Sequence, residues 1–236
     1  MTNYSYIGSE LELFSEAWNW KAYYKDIITK YIGDEVLEVG AGIGSTTKLL
    51  CRNNQIRWVC LEPDPKLANS LQSLISNGFI PKYCEKKVGT LLDISHQETF
   101  DTIIYIDVLE HIKDDRFEIE NVYIYLKEGG VLVVLAPAHQ WLFTPFDEAI
   151  GHYRRYNKRM LKAIITSEKF KCISLRYLDC VGLIASLGNR LLLKSKMPNK
   201  QQILLWDKVM VPISKIVDPF IQYSVGKSIL GIWQKR

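Results

Sequence analysis

At 236 residues the chain has room for one domain carrying an elaboration. Its 47% hydrophobic and 24% charged composition is that of an ordinary globular protein and excludes a disordered one. The net charge of +4 is slight and scattered, and pairs such as Lys86-Lys87 or Arg154-Arg155 are too short for a nucleic-acid stripe. No nucleic-acid partner is therefore expected. The cysteines (Cys51, Cys60, Cys84, Cys172, Cys180) show neither C-x-x-C nor zinc spacing, so no metal is expected, and most read as core residues of a reduced, cytoplasmic protein. Neither a signal peptide nor a long uncharged apolar run is visible, which predicts a soluble chain without membrane insertion.

The N-terminal segment Glu10–Tyr31, rich in Trp and Tyr, reads as helical. From Val36 onward strands and helices alternate, the signature of a mainly parallel sheet with helices on both faces. Strands are expected at Val36–Val39, Arg57–Leu61, Pro81–Lys87, Thr102–Ile106 and Val131–Ala136. Helices are expected at Ser45–Arg52, Pro65–Ser76 and Lys113–Lys127, the last stopping at Gly129-Gly130. Beyond Pro137 the pattern loosens to a helix at Lys158–Ser167 and a strand at Cys172–Tyr177. A long apolar helical region follows from about Val181 to Ser224, broken near Pro198 and Pro212, before a last strand at Ser228–Trp233. One domain is expected, divided into an N-terminal helical lid (1–33), a cofactor-binding core (34–137), a substrate loop (138–157) and a helical insertion (180–225).

The most informative segment is Val36-Leu37-Glu38-Val39-Gly40-Ala41-Gly42-Ile43-Gly44-Ser45. A strand that breaks into alternating glycines and then a helix lets backbone approach a ligand at the sheet's carboxyl edge. Glu62 follows at the end of the second strand, where a carboxylate can accept both hydroxyls of a ribose. A dinucleotide fingerprint has its third glycine where this chain has Ser45, and Glu38 beside the loop would repel a pyrophosphate. S-adenosyl-L-methionine has no phosphate and carries an ammonium and a sulfonium, so an acidic loop edge suits it better than NAD.

These features resemble the class I S-adenosylmethionine-dependent methyltransferases. Glu38–Gly44 is similar to their acidic-x-Gly-x-Gly-x-Gly motif, and Leu61-Glu62-Pro63-Asp64 to their ribose-binding strand end. Phe100-Asp101 through Asp107-Val108-Leu109-Glu110-His111-Ile112 resembles their fourth-strand motif, and Leu126–Val133 the helix, turn and strand that follow. The resemblance implies an α/β, Rossmann-like fold: a seven-stranded, mostly parallel sheet with a final antiparallel strand. It implies that Gly40, Ala41, Gly42 and Gly44 hold the methionine part of the cofactor and that Glu62 and Pro63 hold the ribose. Thr90 and Leu91 would border the adenine, with Asp93 or a backbone carbonyl replacing the acid many members carry at the Thr90 position. Asp107 and Val108 would lie beside the reacting centre.

Methyl transfer from a sulfonium mainly requires alignment, an orientation effect of roughly 7–11 kcal/mol. A general base adds about 10²–10⁴-fold where the acceptor is a hydroxyl. His111 is one candidate base. The segment from Ala136 to Tyr156 concentrates His139, Trp141, Asp147, His152, Tyr153, Arg154, Arg155 and Tyr156 directly after the fifth strand, and reads as the substrate-binding lid. His139 or His152 would be the base, Asp147 its orienting partner, and Arg154 or Arg155 the clamp for an anionic part of the acceptor. Trp141, Tyr153 and Tyr156 would supply aromatic contact. No Asn/Asp-Pro-Pro-aromatic segment follows the fourth strand, which disfavours methylation of DNA bases. The expected acceptor is a metabolite, sugar or lipid-linked intermediate, methylated at a hydroxyl or carboxyl oxygen. A non-catalytic S-adenosylmethionine-binding protein, and more remotely an NAD(P)-dependent oxidoreductase, are the alternatives. The Leu183–Ile221 region fits an apolar acceptor pocket, peripheral contact with a membrane, or a dimer interface, so monomer and homodimer both stay open.

Overall fold

A computed structural model describes residues 5–8, 11–51, 54–188 and 198–236. The central sheet has strands β1 (Glu35–Val39), β2 (Arg57–Glu62), β3 (Cys84–Val88), β4 (Phe100–Ile106), β5 (Leu126–Pro137), β6 (Phe170–Leu178) and β7 (Ser228–Lys235). Their spatial order is β3-β2-β1-β4-β5-β7-β6, and only β7 runs antiparallel to its neighbours. The order reverses at β1 and β4, so a crevice opens beyond their carboxyl ends, where open α/β sheets bind ligands.

The inner strands are apolar on both sides because both sheet faces are covered. Leu37, Val39, Ile103 and Tyr105 pack into one core with Tyr125 and Leu161. Their neighbours Val36, Trp58 and Ile104 pack into the other, with Tyr24, Leu50 and Leu71. Successive side chains of a strand point to opposite faces, so a continuous apolar run is what a doubly covered strand needs. Among the helices on these faces, α3 (Ser45–Leu50) and α5 (Asp115–Tyr125) flank the central strands, as does α4 (Pro65–Ser76). α4 shows its origin plainly. Asp64 accepts from the Lys66 and Leu67 amides, Pro65 opens the first turn, and Ala68, Leu71 and Ile75 face inward.

Several element boundaries depart from the sequence reading. α5 ends at Tyr125, short of the expected Lys127, because Leu126 already pairs with Phe100 as strand; the ladder then skips to Thr102 opposite Val131, with Gly129 at φ +74° in the intervening bulge. The N-terminal helix is two: α1 (Leu11–Ser15) and α2 (Trp18–Ile28). In the C-terminal region α7 (Lys158–Ile164) stops short of the expected Ser167, and α8 (Cys180–Gly188) precedes α9 (Lys200–Leu205), which continues through a wider turn at Trp206–Met210 into α10 (Val211–Phe220). Pro212 therefore does not break the helix: the wide turn before it absorbs the missing amide donor. The expected helix limits at Glu10 and Arg52, and residues 189–197 of the insertion, lie outside the described residues.

Buried aspartates join the N-terminal helices to the C-terminal ones. Asp207 accepts from the Asn19 amide at 3.2 Å and the Trp20 amide at 2.9 Å, so it caps α2, whose own N-cap is Ala17. Asp218, fully buried, accepts from the Tyr23 hydroxyl at 2.7 Å and from the Asp179 and Cys180 amides. Asp179 accepts from the Trp206 indole and the Ser214 hydroxyl, each at 2.7 Å. The two helical segments thus form one roof above the carboxyl edge of the sheet. Among the described residues, no helix is long and apolar enough to cross a membrane.

Replacing Asp207 with Ala leaves the first turn of α2 uncapped in a buried setting. The expected loss is about 1–3 kcal/mol of unfolding free energy in a urea titration. An unchanged midpoint would show that the roof does not depend on this cap.

Candidate active site

The glycine loop after β1 is left-handed at Gly40 (φ +69°), Gly42 (+56°) and Gly44 (+78°). A Cβ on Gly40 would lie 2.5 Å from Val108, and one on Gly44 would lie 2.7 Å from Leu71, so both are closed off by packing. At Gly42 the nearest atom would be Leu11, 3.9 Å away, so the backbone there faces open space. The loop is tied to β2: the Gly40 and Ala41 amides both donate to the Leu61 carbonyl, and the Gly42 amide donates to Glu62 at 2.8 Å. The other oxygen of Glu62 accepts from the Asp64 amide at 2.9 Å. Burial pushes the Glu62 carboxyl above the usual range, against the pull of these two amides. Asp64 in turn accepts from the Tyr6 amide at 2.7 Å, which holds the N-terminal strand of chain across the loop.

Glu38 occupies a different place from the one its motif position suggests. It is buried behind the loop and accepts from the Thr47 hydroxyl at 2.7 Å and the Trp58 indole at 2.8 Å. It does not line the cavity, so the acidic edge expected there is not formed by its carboxylate. Burial pushes its carboxyl up to about 7.

The loop opens on a cavity of about 700 Å³, within the usual range for small-molecule sites. Its floor includes Gly40, Ala41, Gly42 and Asp107, and its roof includes Trp20, Ile203 and Trp206. Asp107 is itself left-handed (φ +54°), and its amide donates to the Leu135 carbonyl, which turns the chain out of β4. The far wall is a cluster of ionisable groups: Glu110, His111, Asp147, His152 and Arg155. Asp147 is fully buried at the start of α6 (Pro145–Ala149) and accepts from Arg155 at 2.7 and 2.9 Å, from the His152 ring at 2.9 Å, and from the Thr144 amide and hydroxyl. Burial alone would raise the Asp147 carboxyl, but the bonds from His152 and Arg155 outweigh it and hold it well below the usual range. Burial, reinforced by the facing His152, lowers His111 to about 4. The two rings meet edge to face at 4.6 Å.

The remaining residues of the expected substrate loop lie elsewhere. His139 is left-handed (φ +65°) and packs between Tyr177 and Trp141, outside the cavity lining. Trp141 and Tyr153 are about half exposed and do not line it either. Arg154 donates to the Ile112 and Lys113 carbonyls and pairs with Asp115 at 2.9 Å. Tyr156, buried, donates to the same Asp115 at 2.7 Å. Arg154 and Tyr156 thus share one side of an extended segment and Arg155 takes the other, as alternation requires. The adjacent arginines are therefore split between a structural clamp and the cavity wall. On the β2–β3 side, Thr90 is exposed and caps a short turn with Asp93, Leu91 is in the core, Pro63 is half-buried, and none of these lines the cavity. Val108 reaches it only indirectly, by packing under Gly40.

Sequence reading passed over Glu110, Trp206 and Lys227, all of which line the cavity. Glu110 was visible beside His111 in the fourth-strand motif, yet nothing along the chain announces that His152 comes back to meet it. Lys227 lies over the Trp206 ring at 3.7 Å, a contact made only when β7 closes the sheet.

Fold and glycine loop together give a Rossmann-like α/β domain, similar in fold to S-adenosylmethionine-dependent methyltransferases. Residues 37–132 match the family model described as a methyltransferase domain. Norajmaline N-methyltransferase of Rauvolfia serpentina is 23% identical over 139 residues, which are 58% of this chain and 46% of that protein. Ajmaline N-methyltransferase of the same organism is 23% identical over 133 residues, 56% of this chain and 44% of that protein. The matched stretch spans less than half the length of either relative. An S-adenosylmethionine-dependent methyltransferase from Clostridium acetobutylicum shares the fold with a TM-score of 0.57 at 12% identity, over 93% of this chain and 91% of that one. The [4+2]-cyclase SpnF shares it too, with a TM-score of 0.62 at 12% identity over 97% and 94% of the two chains.

The buried position of Glu38 carries a pH signature. Its folded pKa of about 7 lies above the ordinary carboxyl value of 4.5, so its contribution is full below the ordinary value and is lost as pH rises through 7. Glu38→Gln keeps an acceptor for Thr47 and Trp58 without that titration. Between pH 5 and pH 7.5 the wild type should lose stability relative to the variant, at up to about 1.4 kcal/mol per pH unit. Parallel stability curves in chemical denaturation would show that Glu38 is ionised in the fold.

Proposed function

We propose that the protein transfers a methyl group from S-adenosylmethionine to an oxygen of a small acceptor, such as a sugar or a lipid-linked intermediate. One observation carries the reading: the open backbone at Gly42 and the Glu110–His111–His152 wall face the same roofed cavity. Gly40, Ala41 and Gly42 hold the methionine part, and Asp107 stands at the junction between cofactor and acceptor. Glu62 sets the shape of the loop and presents its remaining lone pairs to the ribose. Thr90 borders the adenine only at its outer edge, and Leu91 supports it from the core. When bound, S-adenosylmethionine supplies a sulfonium-activated methyl; the acceptor O–CH₃ bond forms as the CH₃–S bond breaks, releasing S-adenosylhomocysteine and a proton.

This chain's own contribution is alignment and exclusion of water. Trp20, Ile203 and Trp206 close the roof over the transfer path and give an acceptor with an apolar portion a surface to lie on. The acceptor hydroxyl meets the His111–His152 wall. Arg155 is spent on Asp147, so it orients His152 through that carboxylate and does not clamp an anion. The exposed apolar side chains Val209, Ile216 and Phe220 of the roof helices support contact with a lipid-bearing acceptor.

S-adenosylmethionine or S-adenosylhomocysteine at about one hundred times its Kd should add about 2.7 kcal/mol of stability, and NAD should add none. Stabilisation by NAD alone in a thermal-shift assay would overturn the reading. Glu62→Ala removes the acceptor for two loop amides as well as the ribose contact. Calorimetry should show S-adenosylhomocysteine binding weakened by about 1.5–3 kcal/mol; unchanged affinity would take Glu62 out of the site.

A further inference from the structure

Glu110 is fully buried, and neither of its carboxylate oxygens has a hydrogen-bond partner among the described residues. Such a group costs free energy unless something supplies the missing partner. It lines the cavity on the acceptor side. The His152 Nε2 lies 3.8 Å from its Oε1, too far for a hydrogen bond. One donor atom each from Glu110, His111 and His152 lies within 4.8 Å of the others. Donors around a single first-row cation, with bonds of about 2.0–2.2 Å, sit about 3–4.4 Å apart.

The two rings are prepared for this role from behind. The His152 Nδ1 faces Asp147 at 2.9 Å, and a proton held on that side leaves the Nε2 lone pair turned to the gap. The His111 Nδ1 lies against Gly151, whose backbone favours a proton on that side of the ring. Carboxylate and carbonyl partners of this kind fix the tautomer and aim of metal-binding histidines. Asp147 is itself held by Arg155 and Thr144, and the Arg155 charge is matched by that carboxylate.

Resting on the methyltransfer reading above, we propose that Glu110, His111 and His152 form a divalent-cation site that binds the acceptor oxygen beside the methyl path. Two imidazoles and one carboxylate favour manganese, iron, cobalt or zinc over magnesium or calcium. The cation leaves coordination positions facing the cavity, where an acceptor hydroxyl binds and loses its proton to solvent more readily. In this arrangement His152 is a ligand and not the general base. Asp107, whose charge acts on Glu110 across the junction, adds negative potential to the same spot. The sequence expectation that no metal is used is thereby replaced for this cavity.

The test uses the full chain after chelator treatment, titrated with Mn²⁺ and followed by electron paramagnetic resonance. One Mn²⁺ per chain is expected, with nitrogen hyperfine couplings from two imidazoles, a measurement that needs no variant. Glu110→Gln and His152→Ala should abolish the site, Asp147→Asn should weaken it about 10–100-fold, and His96→Ala should leave it intact. Absence of stoichiometric Mn²⁺ binding, or equal binding in Glu110→Gln, would overturn the proposal and leave Glu110 a protonated buried acid. S-adenosylhomocysteine binding, measured by calorimetry on the same samples, separates the two readings. Cofactor binding without Mn²⁺ removes only the metal site; loss of both in the wild type removes the methyltransfer reading as well.

Discussion

The carboxylate of Glu62 sits between two backbone amides, Gly42 at the crest of the loop after β1 and Asp64 at the head of α4. Because Asp64 then receives the Tyr6 amide, three separate stretches of chain are brought to one point at the carboxyl edge of the sheet. That anchor helps hold the glycine loop on its left-handed path, and the cavity floor is the loop's open side. A carboxylate serves well here because it accepts more than one amide at once, and charge-assisted bonds of this kind are stronger than neutral ones.

The same device recurs higher in the molecule. Asp207, Asp218 and Asp179 are buried acids that accept amides, a phenol, an indole and a hydroxyl from α2, α8 and the helices after residue 198. Apolar packing alone would let these short helices slide on one another. Directional bonds to buried acceptors set their register, since a shift would strand a charged group away from water. The roof is therefore positioned by polar contacts within an apolar shell, and the cavity it covers takes its volume from them.

Glu110 breaks this pattern. Every buried aspartate just named is satisfied from within the chain, whereas Glu110 faces the cavity with no partner of its own. It stands where the β4 exit and the loop after β5 converge, the junction at which cofactor and acceptor meet in the proposed reaction. A fold that satisfies its other buried acids so fully leaves this one for a ligand.

The alternation of strands and helices, the apolar runs of β1, β2 and β4, and the glycine loop were all legible in the residues, because backbone geometry and two-sided burial impose local patterns. The proposed cofactor rests likewise on residues near one another in sequence or at a strand end. Lengths failed where partners lay far away: α5 stops early because Leu126 finds Phe100, and α2 begins where Asp207 caps it. Within the site, the presence of Glu38, His139, Arg154 and Arg155 was legible but their direction was not. Glu38 turns inward to Trp58, His139 stacks on Tyr177, and the two arginines part to Asp115 and Asp147. Which chemistry-bearing groups share the cavity was decided by tertiary structure alone, since His111 and His152 meet only after the sheet orders β4 and β5 side by side. Local sequence determines how the backbone bends and which face is apolar; the convergence of side chains from distant segments exists only in the packed molecule.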